Sequence, residues 1–310
     1  MIEFISDFFI KKCKNNEKIK NRQILGIVCS VFGILLNILM FLLKITSSMF
    51  SGSIAAAVDA VHNLTDSASS VVTLLSFILS GQKKTEKYPM GKGRIEYVAG
   101  FIVSAVLISA GIELAETSVS KIINPESVTF SLASVILLSV SVVIKIYMAY
   151  FNFRTAKKIS SEALSAAATD CLCDSISTII ALTAVIAVRF TDLNIDAWGG
   201  FAVSLFIFSA GIKSAKDTIK TLIGTAPDET TISKIRRIIS RFPEIEKTGN
   251  VILHDYGPEN RIITAEAFFC DSSCLSDITL ITEKAENSIL ADTGYTAQLI
   301  IRSSREIADG

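Results

Sequence analysis

Between residues 51 and 80 the chain reads SGSIAAAVDAVHNLTDSASSVVTLLSFILS, apolar enough for a bilayer yet interrupted by Asp59, His62, Asn63 and Asp66. On a 3.6-residue helix these positions, at i, i+3, i+4 and i+7, share one face. A charged side chain at bilayer depth costs at least about 2.5 to 3.5 kcal/mol on insertion scales, so several on one face imply something that binds there. A second stretch, EALSAAATDCLCDSISTIIALTAVIAV, answers it with Asp170 and Asp174, one helical turn apart. If two helices bring His62, Asp66, Asp170 and Asp174 together, they supply four N and O ligands, the number a tetrahedral divalent cation takes. Three carboxylates and a neutral imidazole sum to minus three, and a divalent ion leaves minus one. Without that ion, such a cluster in low dielectric takes up protons. Metal binding then displaces them, which is a sufficient physical basis for exchanging one for the other. His62 is the group suited to titrate near neutrality, and the cluster titrates as a unit. Around this set, Asn63 is a candidate for a hydrogen bond to a ligand or a carbonyl donor, and Asp59 for an access or gating residue. Cys173 is a candidate soft ligand, against a small apolar packing role.

Composition says what must carry these residues. The chain has 310 residues, of which 50% are hydrophobic, and its mean hydropathy is +0.50. An ordinary soluble protein is excluded and membrane insertion is expected. Net charge is zero, but the charges are segregated into short loops up to about residue 220 and run throughout the rest. The six cysteines form no CxxC pair and no disulfide framework. Apolar residues precede basic ones at the N-terminus, the wrong order for a signal peptide. Nothing in this pattern points to nucleic acid.

Six stretches approach the roughly 20 apolar residues that a spanning helix needs: 23 to 46, 53 to 80, 97 to 120, 129 to 153, 163 to 189 and 196 to 216. The last is the weakest, being only sixteen residues from Ala197 to Ile212 before Lys213. Lys and Arg concentrate before the first span and after the second, fourth and sixth, which predicts both termini in the cytoplasm. Within the spans, Lys145 and Glu113 each need a partner. An ion pair between them is one expectation; snorkelling or water access at a polar face is the other. The run SAAAT at 165 to 169 is expected to allow tight packing of the two site helices.

After Lys220 the pattern changes to helix, strand, strand, helix, strand, with Pro227 and Asp228 at a helix start. The expected architecture is an all-α six-helix transmembrane domain plus a C-terminal cytoplasmic α+β domain, αββαβ and ferredoxin-like. Its boundaries are a cytoplasmic segment at 1 to 22, the spans at 23 to 220, the small domain at 221 to 303 and a tail at 304 to 310. A domain this small often gains stability by pairing.

The motifs DAVHNLTD at 59 to 66, TDCLCD at 169 to 174, PMGKGRIEY at 89 to 97 and HDYGP at 254 to 258, on six spans followed by αββαβ, resemble the cation diffusion facilitator family. The resemblance covers about residues 20 to 303. It implies that His62, Asp66, Asp170 and Asp174 bind a divalent transition metal as substrate. It also implies that the metal is exchanged for protons by alternating access, in a homodimer that exports from the cytoplasm. The dimer would form through the cytoplasmic domain and membrane helices, and the protein would lie in the plasma membrane with no tightly bound cofactor. Zinc and manganese are the leading candidates, with iron and cobalt behind, because a site with one imidazole and several carboxylates accepts all four. Zinc-exporting members carry histidines in the loop after the second span and in the cytoplasmic domain. Here the loop reads Tyr88-Pro89-Met90-Gly91-Lys92-Gly93, and the soluble positions are Gly249, Glu266, Thr279 and Arg302. With only two histidines in the chain, His62 and His254, no His-built site forms in the soluble domain, although Glu266 or Asp271 offers a weak carboxylate site. Three other readings use the same residues. An intramembrane zinc protease needs HExxH, which is absent, so an enzyme is not expected. A transporter of organic cations such as polyamines would pair its carboxylates with amines. A non-transporting sensor or scaffold would need neither.

Overall fold

The structure is a computed structural model and describes residues 17–51, 54–124, 132–187, 195–269 and 275–303. Six long helices come first: α1 (Glu17–Ser51), α2 (Ile54–Ser80), α3 (Ile95–Ile123), α4 (Leu132–Ile159), α5 (Glu162–Ala187) and α6 (Ile195–Ile223). Most outrun their apolar stretches, since flanking Lys, Arg and Glu are good helix formers and leave the apolar run without ending the helix. Among the described residues five of them, all but α2, are long and apolar enough to cross a membrane. The weakest span by sequence, now α6, is one of the five. The polar residues of α2 keep it below that mark. The chain is an integral multi-pass membrane protein.

Helix packing in the first compact unit places α2 against α1, α3 and α5, and α5 against α4, α3 and α2. Lipid offers no hydrophobic drive for helices to associate, so close backbone approach and internal hydrogen bonds have to hold them. Two glycines show the first device. A Cβ on Gly111 of α3 would lie 2.9 Å from the backbone nitrogen of Phe208 on α6, and one on Gly211 of α6 would lie 3.1 Å from the backbone nitrogen of Ile108. Ser104 and Ser214 hydrogen bond across the same interface at 2.7 Å. Gly111→Val is expected to destabilise the protein by roughly 1 to 3 kcal/mol, as overpacking does, read as a lowered melting temperature of the purified protein. At the start of α5 it is α3 that approaches, with Gly100 against the backbone of Glu162 and Ala163.

A buried ion pair ties the ends of several helices. Arg22 on α1 donates from Nη1 and Nη2 to both carboxylate oxygens of Glu96 at 2.7 and 2.6 Å, and from Nε to the carbonyl of Ile159 at 2.8 Å. Glu96, in the first turn of α3, also accepts from Ser80 at 3.0 Å. Its carboxylate is satisfied on both oxygens, which makes burial tolerable.

The second compact unit holds the chain from Lys220 together with Thr85–Gly91. It contains α7 (Glu229–Ile239), β1 (Ile245–Asp255), β2 (Arg261–Phe269), α8 (Leu275–Thr293) and β3 (Thr296–Ser303). The sheet order is β1-β2-β3, with β1 antiparallel and β3 parallel to β2. Strand β2 buries Ile263, Ala265, Ala267 and Phe269 at alternate positions, and α7 and α8 add Ile235, Ile238, Ile239, Ile281, Ala285 and Ile289 to the same core. This is the α+β domain that alternation and helical spacing predict. HDYGP forms the β1–β2 turn: Asp255 accepts from the Gly257 amide at 2.8 Å and from Arg261 at 2.9 Å. Asn260, in the same turn, donates to the Met90 carbonyl at 2.7 Å, so the two loop motifs meet through a hydrogen bond.

Candidate metal centre

The membrane-domain cluster is built by three helices. From α2, His62 and Asp66 stand one turn apart on one face; from α5 comes Asp174; from α4 comes Lys145. His62 Nε2 lies 3.6 Å from Asp174 Oδ1 and 4.0 Å from Asp66 Oδ1. One ligand atom from each of the three lies within 4.8 Å of the others. Metal–ligand bonds of about 2.0 to 2.2 Å put ligand atoms about 3.3 to 3.6 Å apart in a tetrahedron. Little contraction is therefore needed to hold an ion. Burial is uneven: Asp66 is 7% exposed, whereas the His62 side chain is 49% exposed.

Lys145 corrects the sequence reading most. Its Nζ donates to Asp66 Oδ2 at 2.6 Å and to Asp174 Oδ2 at 2.7 Å, and the residue is 3% exposed. It neither pairs with Glu113 nor snorkels to the interface. Glu113 is exposed on α3, while the face of α4 that carries Lys145 turns toward α2 and α5. An ammonium buried beside two carboxylates has its charge offset where it sits. No feature of the α4 sequence names that partner, because 79 residues separate Lys145 from Asp66.

The family model for the cation efflux transmembrane domain matches residues 30–223, more than half of the chain. The chain belongs to the cation diffusion facilitator family. It is similar to an uncharacterized transporter of Methanocaldococcus jannaschii, 25% identical over 75% of this chain and 81% of that protein. It is also similar to the magnetosome protein MamB of Paramagnetospirillum magneticum, 29% identical over 67% of this chain and 71% of that protein. An uncharacterized metal transporter of Schizosaccharomyces pombe is 29% identical over 55% of this chain, and there the match spans 48% of that protein.

Around the site of this cation diffusion facilitator the remaining candidates sort themselves by position. Asp170 is buried on α5 but lies outside the three-residue group. Asn63 is buried on α2, and its backbone carbonyl accepts from Ser67 Oγ at 3.1 Å. Cys173 lies outside that group and packs with Leu107, Val203 and Ile207 in an apolar cluster. Asp59 falls within α2, and its side chain lies outside the described residues. Hydroxyls on α5 are used internally: Thr178 donates to the Asp174 carbonyl at 2.7 Å, and Ser175 to the Cys171 carbonyl at 2.8 Å.

In the second unit, Glu266 is not the open carboxylate that a weak metal site needs. It accepts from the Asn250 amide at 3.1 Å and from Arg302 at 3.4 Å. A Cβ on Gly249 would lie 2.6 Å from its Oε2, so the glycine leaves room for that carboxylate. Glu266 and Arg302 thus bond to each other, with Gly249 packed against the same carboxylate. Asp271 lies outside the described residues.

Proposed function

We propose that this protein is a divalent metal cation transporter that exports zinc or manganese, with iron and cobalt as further cargoes, from the cytoplasm in exchange for protons. The observation that carries the reading is the convergence of His62, Asp66 and Asp174 from two membrane helices to within 4.8 Å. Membership of a cation efflux family supports it. Asp170, one turn from Asp174, completes four ligands in the loaded state when α5 shifts against α2. That shift is the alternating-access step. A carboxylate that holds a proton in one state and the metal in the other couples the two flows, since bound metal requires the deprotonated form. In this reading α2 is the sixth span, both termini are cytoplasmic, the membrane is the plasma membrane and the working unit is a homodimer. The chain performs no covalent chemistry.

The test is uptake of zinc and of manganese by purified protein in liposomes across an imposed pH gradient. An acidic lumen is expected to accelerate uptake of the preferred metal, and collapse of the gradient to remove the acceleration. Metal flux indifferent to the gradient would refute the antiport. His62→Asn replaces the only imidazole of the site with an oxygen or amide donor. It is expected to lower zinc uptake by about ten- to a hundredfold while manganese uptake falls less, because nitrogen donors favour zinc over manganese. Equal losses would show that the imidazole does not set the preference.

One observation favours a second reading. A primary ammonium already sits between Asp66 and Asp174, so the pair accepts amines, and an organic polyamine is an alternative cargo. Radiolabelled putrescine in the same liposomes separates the two readings, and its uptake in place of metal would select the second.

A further inference from the structure

We propose that Lys145 is a tethered cation that competes with the transported ion for Asp66 and Asp174 and thereby sets the affinity and charge selectivity of the site. The inference rests on the metal-site reading above and adds the residue that opposes binding. Its basis is geometric. The ammonium bonds one oxygen of each aspartate, at 2.6 and 2.7 Å, and the other oxygen of each faces His62, at 4.0 and 3.6 Å. Lys145 approaches from the buried side and an incoming ion from the half-exposed imidazole side. A divalent ion held by the same two carboxylates would stand within a few ångströms of the ammonium, among acidic side chains that are themselves largely buried. Like charges so placed repel strongly, because little solvent screens them. One cation must leave, and the tethered one withdraws along its flexible four-carbon stem.

Two consequences follow. In the ion-free state Lys145 keeps two acidic side chains, from α2 and α5, drawn together at bilayer depth. Any ion must then offer more than the ammonium already does. A monovalent cation brings no additional charge, whereas a divalent ion brings twice as much and accepts direct coordination. Lys145 is therefore a specificity-determining residue that rejects the abundant monovalent ions and weakens the grip on divalent ones enough for release. A site blocked for nine-tenths to ninety-nine hundredths of the time binds about ten- to a hundredfold more weakly than an open one.

The experiment is Zn2+ binding by calorimetry to the purified full-length protein at mildly alkaline pH, where protons compete least. Lys145→Gln is expected to bind Zn2+ at least about tenfold more tightly than wild type, while Lys145→Arg, which keeps the charge, gains none of that tightening. Unchanged or weaker binding by Lys145→Gln overturns the proposal. Asp174→Asn in the same titration keeps the two claims apart. If it binds Zn2+ as wild type does, the metal site itself is wrong; if it loses binding while Lys145→Gln gains nothing, only the competitor role fails. Should Lys145→Gln not fold, the wild-type protein decides through a cryo-EM structure with Zn2+ bound. There Lys145 is expected to have left at least one of the two aspartates, and an ammonium still bonded to both beside the bound ion overturns the proposal.

Discussion

Asp174→Ala is expected to reduce metal uptake by at least about a hundredfold, the upper end of what is lost when even an outer partner of a metal ligand is removed. Asp174 lies 3.6 Å from His62 and 2.7 Å from Lys145. It is also the member that joins α5 to α2. Without it, His62 and Asp66 remain as neighbours on one helix, and of the α5 ligands only Asp170, outside the gathered group, is left. Asp174→Asn keeps the shape and removes the charge, so an equal loss in both variants assigns the effect to the carboxylate and not to a cavity. The measurement is the initial rate of zinc uptake in proteoliposomes, normalised to reconstituted protein. Rates within a fewfold of wild type would remove the metal-site reading.

Glu96→Ala carries the largest expected effect on stability, about 3 to 5 kcal/mol, the usual cost of leaving a buried charge without its partner. Glu96 is fully buried and receives both terminal nitrogens of Arg22, whose side chain is 12% exposed. Arg22 also lies over the Phe77 ring, 5.9 Å from its centroid, a second contact that holds its guanidinium in place. Removing Glu96 strands that charge among α1, the end of α4 and the first turn of α3. Arg22→Ala does the converse and strands the carboxylate. The double variant is expected to be less destabilised than the two single losses added together, because the pair acts as a unit. Melting of the purified single and double variants, followed by circular dichroism, checks this. Additive losses would mean that the bidentate pair is not what holds these helix ends.

Features that repeat along one helix were legible in the sequence. The four-residue spacing of His62 and Asp66 fixes a common face whatever α2 packs against, and the structure turns that face to Asp174. Alternation of Ile263, Ala265, Ala267 and Phe269 likewise revealed the central strand before any neighbour was known. What spacing cannot carry is which helix faces which, and by how much each is slid along its axis. Asp170 obeys the same four-residue rule as Asp66, yet it lies outside the gathered donors. Lys145 was legible as a charge in need of a partner, but the partner depends on the rotation of α4, which the chain sets through packing and not through local pattern. The Arg22–Glu96 pair spans 74 residues; by sequence Arg22 is one more basic residue before the first span. Hydrophobic stretches located the spans but not the helix ends, since α1, α4 and α6 continue as helix well into charged residues.

Zinc X-ray absorption on the loaded, purified protein tests the central claim most directly, because it reads the atoms around the ion. The account predicts a shell of nitrogen and oxygen at about 2.0 to 2.2 Å, with the multiple-scattering signature of one imidazole that disappears in His62→Asn. A shell containing sulfur at about 2.3 Å, or an imidazole signature that survives His62→Asn, would place the ion elsewhere and contradict it.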